Sequence, residues 1–156
     1  MASGLKFLIR LSTPIGRRFA YFDPLNNSGY TFLNILSSPL LPNLLSVLSD
    51  SKNEKLPIRI YEEGPVARPH LEKRLAFASM HAKASFSEIK GTVLSLFSSM
   101  GRKADIRKSE NSTYVKGRCA EICVDGKKAG VFGEISPEVL SNFNLEQPVC
   151  AAELKI

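Results

Sequence analysis

The feature that constrains the fold most is Asp125-Gly126, which lies between the strand-like segments RCAEICV (118–124) and KAGVFGEI (128–135). An Asp-Gly pair favours the left-handed backbone of a two-residue hairpin turn, because glycine has no Cβ and aspartate tolerates that conformation. The two segments are therefore predicted to pair as neighbouring antiparallel strands. Such a sheet must bury its apolar surface against another layer.

Further strands are predicted from β-forming runs, and these occupy residues 5–14, 56–64, 73–81, 104–109 and 148–156. The segment 15–30 is rich in Asp, Asn, Pro and Gly and is predicted as a loop. A second loop, through Pro65, Pro69 and Glu72, is expected between the strands at 56–64 and 73–81. Strands thus outnumber helices along the chain.

Helices are predicted where apolar residues recur at a spacing of three or four. Ser85 and Glu88 have the spacing of a capping box, and Gly101 ends the apolar stripe that follows them. A helix after Pro39 and a short one over 137–143 complete the set. The predicted fold class is α+β, a mostly antiparallel sheet with helices packed on one side.

Length and composition indicate one folded domain over residues 1–156, with 44% hydrophobic and 23% charged residues. The net charge of +6 favours an acidic partner such as RNA, but the basic excess is spread along the chain and the indication is weak. The apolar stretch 33–48 is broken by Pro39 and Pro42 and is too short to cross a bilayer, so no membrane partner is expected.

Metal, disulfide and nucleophile sites are not predicted. Cys119 and Cys123 lie four apart on a strand, which places them about 13 Å apart on one face, too far for a disulfide. With Cys150 they are interpreted as buried thiols of a cytoplasmic protein. His70 and His81 have no ligand-type neighbours at zinc-binding spacing.

The most basic segment is GRKADIRKSENSTYVKGR (101–118). Its exposed cations could bind RNA phosphates, and a solvated basic face is the alternative. The candidates for RNA contact are Arg102, Lys103, Arg107, Lys108 and Lys116.

Four blocks of the sequence resemble one protein family. The block GRCAEICVDGKKAGVFGEISPEVLSNFNLEQPVCAAEL (117–154) is similar to the C-terminal catalytic-like part of the β subunit of phenylalanyl-tRNA synthetase, archaeal and eukaryotic type. SSPLLPNLL (37–45), LPIRIYEEGPV (56–66) and ASFSEIKG (84–91) match further family segments in the same order. The resemblance implies a partial class II aminoacyl-tRNA synthetase core.

The resemblance also implies that the adenylation site has been lost. The segment 130–140 is matched to class II motif 3, which uses an arginine on ATP phosphates, yet no Lys or Arg lies between Lys128 and Lys155. In the motif 2 counterpart, Arg59 and Glu62 are three apart and fall on opposite faces of a strand. Arg59 is expected to pair instead with Tyr61 or Glu63, and no catalytic or cofactor-binding residue is predicted.

The chain departs from the family pattern at a few positions. Thr13-Pro14 replaces Asn-Pro, Asn43 replaces glycine, and Ser136 replaces histidine while remaining a good helix N-cap. The motif 1 helix, the editing domain and the magnesium-binding segment are expected to be absent. The resemblance assigns structural roles to Pro14, Pro42, Gly64, Gly117, Arg118, Gly133, Glu134, Pro137 and Glu153.

The favoured function is a noncatalytic module that scaffolds assembly with the catalytic α subunit and the rest of the β subunit, with tRNA as a further partner. ATP and magnesium would then belong to the complete synthetase, with no cofactor in this chain. One alternative is a free-standing paralogue that acts as a small-ligand or RNA-binding regulator. Another is a truncated product without activity of its own. A module from a larger assembly should expose an apolar patch.

Overall fold

The computed structural model describes residues 7–13, 16–22, 39–67 and 71–156, with side chains described over 39–66 and 72–156. The elements in chain order are β1 Phe7–Thr13, β2 Gly16–Phe22, α1 Leu40–Asp50, β3 Ile58–Ala67, β4 Leu71–Met80, α2 Phe86–Ser99, β5 Ala104–Lys108, β6 Tyr114–Val124, β7 Lys127–Ile135, α3 Pro137–Asn142 and β8 Val149–Lys155.

The described strands form one eight-stranded sheet in the order β2-β1-β3-β4-β8-β7-β6-β5. All neighbouring pairs are antiparallel except β1 and β3, which are parallel. The hairpin turn between β6 and β7 has φ values of 53° at Asp125 and 76° at Gly126, so the turn predicted from the Asp-Gly pair is confirmed. The mostly antiparallel sheet is confirmed as well.

The two longer helices lie on opposite faces of the sheet, so the predicted packing of helices on one side is wrong. Along β8, Val149 and Ala151 belong to the apolar cluster under α1, whereas Cys150, Ala152 and Leu154 belong to the cluster under α2. Successive strand residues point to opposite faces, and β8 is therefore buried on both. The unbroken apolar run in PVCAAEL is typical of such a doubly covered strand.

The helix α1 packs on β3, β4 and β8 through leucines that recur at helical spacing, with Leu40, Leu44 and Leu48 fully buried. The short helix α3 lies against the same cluster through Val139, Leu140 and Phe143. It begins as expected, because Ser136 Oγ accepts a hydrogen bond from the Val139 amide at 3.4 Å and Pro137 opens the helix.

The helix α2 buries Ile89, Val93 and Phe97 on the other face of the sheet, as its stripe predicted. Only half of the expected capping box forms, because Ser85 Oγ accepts from the Glu88 amide at 3.3 Å while the Glu88 carboxylate binds elsewhere. Gly101, with φ of 68°, ends the helix.

The structure adds one strand to the prediction and extends others; β6, for example, begins at Tyr114, four residues before its predicted start. Part of the segment predicted as a loop forms β2, and the remainder, residues 23–30, lies outside the described residues. Pro65 lies within β3 and Glu72 within β4, so these strands continue past the predicted loop positions. In both segments, turn-forming or polar residues lie in strands that pair with a strand adjacent in the sequence, β2 with β1 and β3 with β4, and this pairing outweighs their local preference.

Gly130 and Gly133 are required by close approach of neighbouring backbones. A Cβ at Gly130 would collide with the Glu153 carbonyl of β8, and one at Gly133 would lie 2.5 Å from the Arg118 carbonyl of β6. Both glycines lie at the centre of the sheet, where β7 is flanked on each side.

We expect Gly133→Ala to lower the free energy of unfolding by about 1–3 kcal/mol, because the added methyl group must push β6 backbone atoms apart. Gly91→Ala is the matched control. Gly91 lies on the exposed side of α2, and a Cβ built there would have no atom within 4 Å. Alanine at this position should therefore raise the free energy of unfolding by up to about 1 kcal/mol. Urea unfolding of the unchanged chain and the two variants measures both changes in the free energy of unfolding. Equal values for the three proteins would contradict the packing role of Gly133.

Candidate functional site on the central strands

The carboxylate of Glu134 on β7 anchors the start of α2. The Phe86 amide donates to Glu134 Oε1 at 2.8 Å, and Arg118 Nη1 donates to Glu134 Oε2 at 2.8 Å. A negative charge at a helix N-terminus satisfies an unpaired amide and interacts favourably with the helix dipole. Arg118 and Glu134, two residues given structural roles by the resemblance, thus form one contact that holds α2 on the sheet.

Glu153 on β8 does the same for α1 on the opposite face. The residue before α1 is Pro39, which provides no side-chain cap, and the Leu41 amide donates instead to Glu153 Oε2 at 3.2 Å. Arg74 Nη1 on β4 donates to Glu153 Oε1 at 3.1 Å. The side chains of Arg74 and Glu153 are only 17% and 12% exposed, so this pair is largely withdrawn from water.

The Arg74–Glu153 pair continues into a chain of charges along the same face. Arg74 Nη2 donates to Glu72 Oε2 at 3.1 Å, and Lys155 Nζ donates to Glu72 Oε1 at 2.9 Å. These hydrogen bonds from Lys155 and Arg74 lower the pKa of Glu72 below its usual value. The two cations of this charge network, Arg74 and Lys155, are therefore each matched by a carboxylate within the protein.

A cleft of about 790 Å³ lies above these charges, between α1, α3 and strands β4, β7 and β8. Leu41 and Val139 contribute apolar walls, and Lys128 lies at the side. The pairing of β6 with β7 shifts register next to Lys128. Ile122 pairs with Gly130, but Cys123 pairs with Lys128. Lys128 Nζ lies 2.9 Å from Glu121 Oε2, so it too is neutralised.

The α2 face carries a third carboxylate contact. Ser79 Oγ donates to Glu88 Oε1 at 3.0 Å, and His81 Nε2 lies 2.7 Å from Glu88 Oε2. Arg59 Nη2 approaches Glu88 Oε1 at 3.7 Å. The end of β4, the first turn of α2 and the start of β3 are thereby joined.

The motif 2 counterpart has the geometry predicted from its spacing. Arg59 pairs in register with Ser79 on the α2 face, whereas Glu62 pairs with Ala76 and is fully buried on the α1 face. The predicted pairing of Arg59 with Tyr61 or Glu63 is wrong, since Arg59 approaches Glu88 and Glu63 pairs with Lys73 at 2.6 Å.

Sequence reasoning missed Arg74 and Glu72 altogether. Their roles depend on the pairing of β4 with β8, which joins residues about eighty positions apart, and a local pattern carries no such information. The alternation of Glu72, Arg74 and Ala76 in LEKRLA was the available signal, because it places both charges on one face of a strand.

The candidate RNA-contact residues do not form one compact patch. Arg102 and Lys103 precede β5, whereas Lys108 ends it and Lys116 lies on β6 past that end, so the two groups are separated by roughly the 13 Å length of a five-residue strand. All of the candidates, including Arg107, are exposed. Arg102 also pairs with Asp125 at 3.1 Å.

The other positions with assigned structural roles occupy varied sites. Pro42 lies in the first turn of α1, Gly64 is buried in β3, and Gly117 has φ of 79° where the β6 register shifts. Pro14 lies outside the described residues. The remaining positions are Arg118 on β6, Gly133 and Glu134 on β7, Glu153 on β8 and Pro137 at the start of α3.

The three cysteines are free and buried, as expected. Burial raises the pKa of Cys150 to about 12 and also raises that of Cys119, which keeps both thiols protonated near neutral pH. Within residues 39–67 and 71–156, no helix has the length and apolarity needed to cross a membrane.

We expect Glu153→Ala to lower the free energy of unfolding by about 3 kcal/mol, because it leaves Arg74 largely buried without its partner and uncaps α1. The control is Asp125→Asn, which removes an ion pair whose side chains are 41% and 73% exposed. This change should cost less than about 1 kcal/mol, and asparagine tolerates the left-handed backbone of the turn. Urea unfolding distinguishes them; equal losses would contradict the anchoring role of Glu153.

Comparison with known proteins identifies the family. A family model described as phenylalanyl tRNA synthetase beta chain CLM domain matches residues 25–156. The phenylalanine–tRNA ligase beta subunit of Archaeoglobus fulgidus is 40% identical over 123 residues, which cover 78% of this chain and 22% of that protein. The Methanosarcina barkeri subunit is 37% identical over 123 residues, with 78% and 23% covered. The chain thus spans less than a quarter of the length of these relatives.

The fold also occurs in a solved synthetase. The crystal structure of pyrrolysyl-tRNA synthetase from Desulfitobacterium hafniense aligns with a TM-score of 0.64 and 13% identity, covering 83% of this chain and 49% of that one. At this identity the likeness shows a shared class II-like fold and nothing about activity. The family model covers most of the chain, and the resemblance is confirmed at the level of the β subunit: this chain belongs to the phenylalanyl-tRNA synthetase β-chain CLM domain family.

Proposed function

We propose that the chain is a noncatalytic class II-like module of a phenylalanine–tRNA ligase β subunit and supports assembly with the catalytic α subunit. The relatives are β subunits by name, and the chain corresponds to a small part of each. Its location in the C-terminal part of such a subunit and in the cytoplasm belongs to the same proposal.

The observation that carries this proposal is that Arg74 and Arg118, next to the central strands, are hydrogen-bonded to carboxylates of the fold. A site that binds ATP phosphates needs guanidinium groups with free N–H donors directed at the ligand. Arg74 instead donates to Glu72 and Glu153, and Arg118 donates to Glu134. Releasing either arginine for a nucleotide would leave its carboxylate without that partner.

The position of Arg59 and Glu62 supports the same conclusion. The two side chains lie on opposite faces of β3, so they cannot converge on one substrate. ATP and magnesium are accordingly assigned to the complete synthetase, outside this chain. The module contributes a sheet to which its two longer helices, α1 and α2, are fixed by hydrogen bonds.

We expect the chain, co-expressed with the α subunit of the same organism, to co-purify with it at a one-to-one ratio. The chain alone should give no phenylalanine-dependent ATP–pyrophosphate exchange above a buffer control, because the side chains described over 39–66 and 72–156 form no converging charged site. The α subunit expressed alone is the matched control for the first measurement. Exchange by the isolated chain, or no association with the α subunit, would contradict the proposal.

A second candidate is an RNA-binding module, favoured by the exposed cations at both ends of β5. For this function, Lys103→Glu and Lys108→Glu together should weaken binding of tRNA by about tenfold or more at low salt, because each removes phosphate contacts. Lys90→Glu, at an exposed position of α2, is the matched control, because it reverses the charge of a surface lysine away from β5. Filter binding measures the effect, and unchanged affinity of the double variant would exclude this edge as the RNA contact.

A further inference from the structure

The strand β5 lies at one end of the described sheet, where β6 is its single neighbour. Within the part of the chain that the structure describes, no backbone hydrogen bond joins residues 104–108 to an element other than β6. Every second residue of an edge strand directs its N–H and C=O groups away from the sheet, where they can pair with another strand. The outer side of β5 can therefore accept a further strand by hydrogen bonding.

Two charged side chains of β5 are not used within the fold. Asp105 and Arg107 are exposed, and neither forms an ion pair with another described residue. Glu121, which faces Arg107 on β6, is paired with Lys128 at 2.9 Å. Alternate residues of a strand share a face, and Ile106 packs against the apolar cluster under α2, so Asp105 and Arg107 lie on the face opposite α2. Both charges are available to a partner at this edge.

The strand sequence ADIRK (104–108) is complementary to itself when two copies run antiparallel. If Ile106 faces Ile106 of a second copy, Asp105 lies opposite Arg107 of that copy, and Arg107 lies opposite its Asp105. Opposite charges at directly facing positions of an antiparallel pair are stabilising. The remaining facing positions, Ala104 and Lys108, bring no like charges together.

The same charges disfavour the neighbouring registers. In a symmetric pair, each register corresponds to a two-fold axis at a different residue of the strand. Moving the axis from Ile106 to Asp105 places two aspartates directly opposite each other, and moving it to Arg107 does so with two arginines. Like charges at facing positions are destabilising. Charges on an edge strand usually prevent pairing, but here they oppose the two neighbouring registers and favour the one centred on Ile106.

We propose that β5 pairs antiparallel with β5 of a second copy of this chain, with the two-fold axis at Ile106, so that one sheet continues through a symmetric dimer. The two Ile106 side chains then meet beside the clusters under α2, and each Asp105 faces an Arg107 on the other side of the sheet. Five residues from each copy make a small contact, so the dissociation constant is expected to be on the order of 0.1 mM. This pairing requires no α subunit and is independent of the proposed function.

The test is sedimentation equilibrium of the full chain at up to about 1 mM, roughly ten times the expected dissociation constant. Nuclease treatment beforehand ensures that bound RNA cannot bridge two copies. The unchanged chain should show a monomer–dimer equilibrium. Asp105→Arg and Arg107→Asp should each weaken self-association by about tenfold or more, because each turns two attractive pairs into two repulsive ones. Lys90→Glu, a charge reversal at an exposed position of α2, should change it by less than about twofold.

A mixture of the two variants tests the register. Asp105→Arg has two arginines on this face and Arg107→Asp has two aspartates, so every facing charge pair between the variants is attractive. The mixture should form a one-to-one dimer within about threefold of the affinity of the unchanged chain, which also shows that both variants are folded. A monomeric unchanged chain at about 1 mM, self-association unaffected by both reversals, or a mixture that stays monomeric would each overturn the inference. None of these results bears on the proposed function, which is tested with the α subunit.

Discussion

The structure depends on two carboxylates at the centre of the sheet that each fix a helix to it. Glu134 accepts from the first turn of α2 on one face, and Glu153 accepts from the first turn of α1 on the other. Each is also paired with an arginine from a neighbouring strand, Arg118 or Arg74. A helix N-terminus has unpaired amides and partial positive charge, so Glu134 adds to the Ser85 cap of α2, whereas Glu153 serves α1, which has no side-chain cap.

These contacts bear on the proposal that the module is noncatalytic. A synthetase fold that binds ATP must hold guanidinium groups ready for phosphate, in a site where their only strong partner is the substrate. Here, the arginines next to the central strands neutralise carboxylates that the helices need. Arg74 cannot serve both purposes, because removing one partner from its largely buried ion pair with Glu153 costs several kcal/mol.

Much of the fold could be predicted from local patterns. The hairpin at Asp125-Gly126, the helix stripe of α2 and the close-approach glycines of β7 follow from residue chemistry within a few positions. The strand β2 was missed because its flanking turn-rich sequence dominated the pattern, and pairing with β1 decides its structure. Placement of the helices on one face was wrong because periodicity shows that a helix has a buried side but not which face of a sheet receives it.

The sequence by itself determined most of the elements, the family and the absence of a converging Arg-Glu pair on β3, since each depends on spacing along the chain. Only the tertiary structure decided the partners of Arg74, Glu153 and Glu134, because those contacts join strands and helices that are distant in sequence. It also decided that β5 lies at one end of the described sheet, since strand order is set by pairing across the whole chain. The physical reason is that a side chain's direction is set locally, whereas the atom it meets is set by the packing of the whole chain.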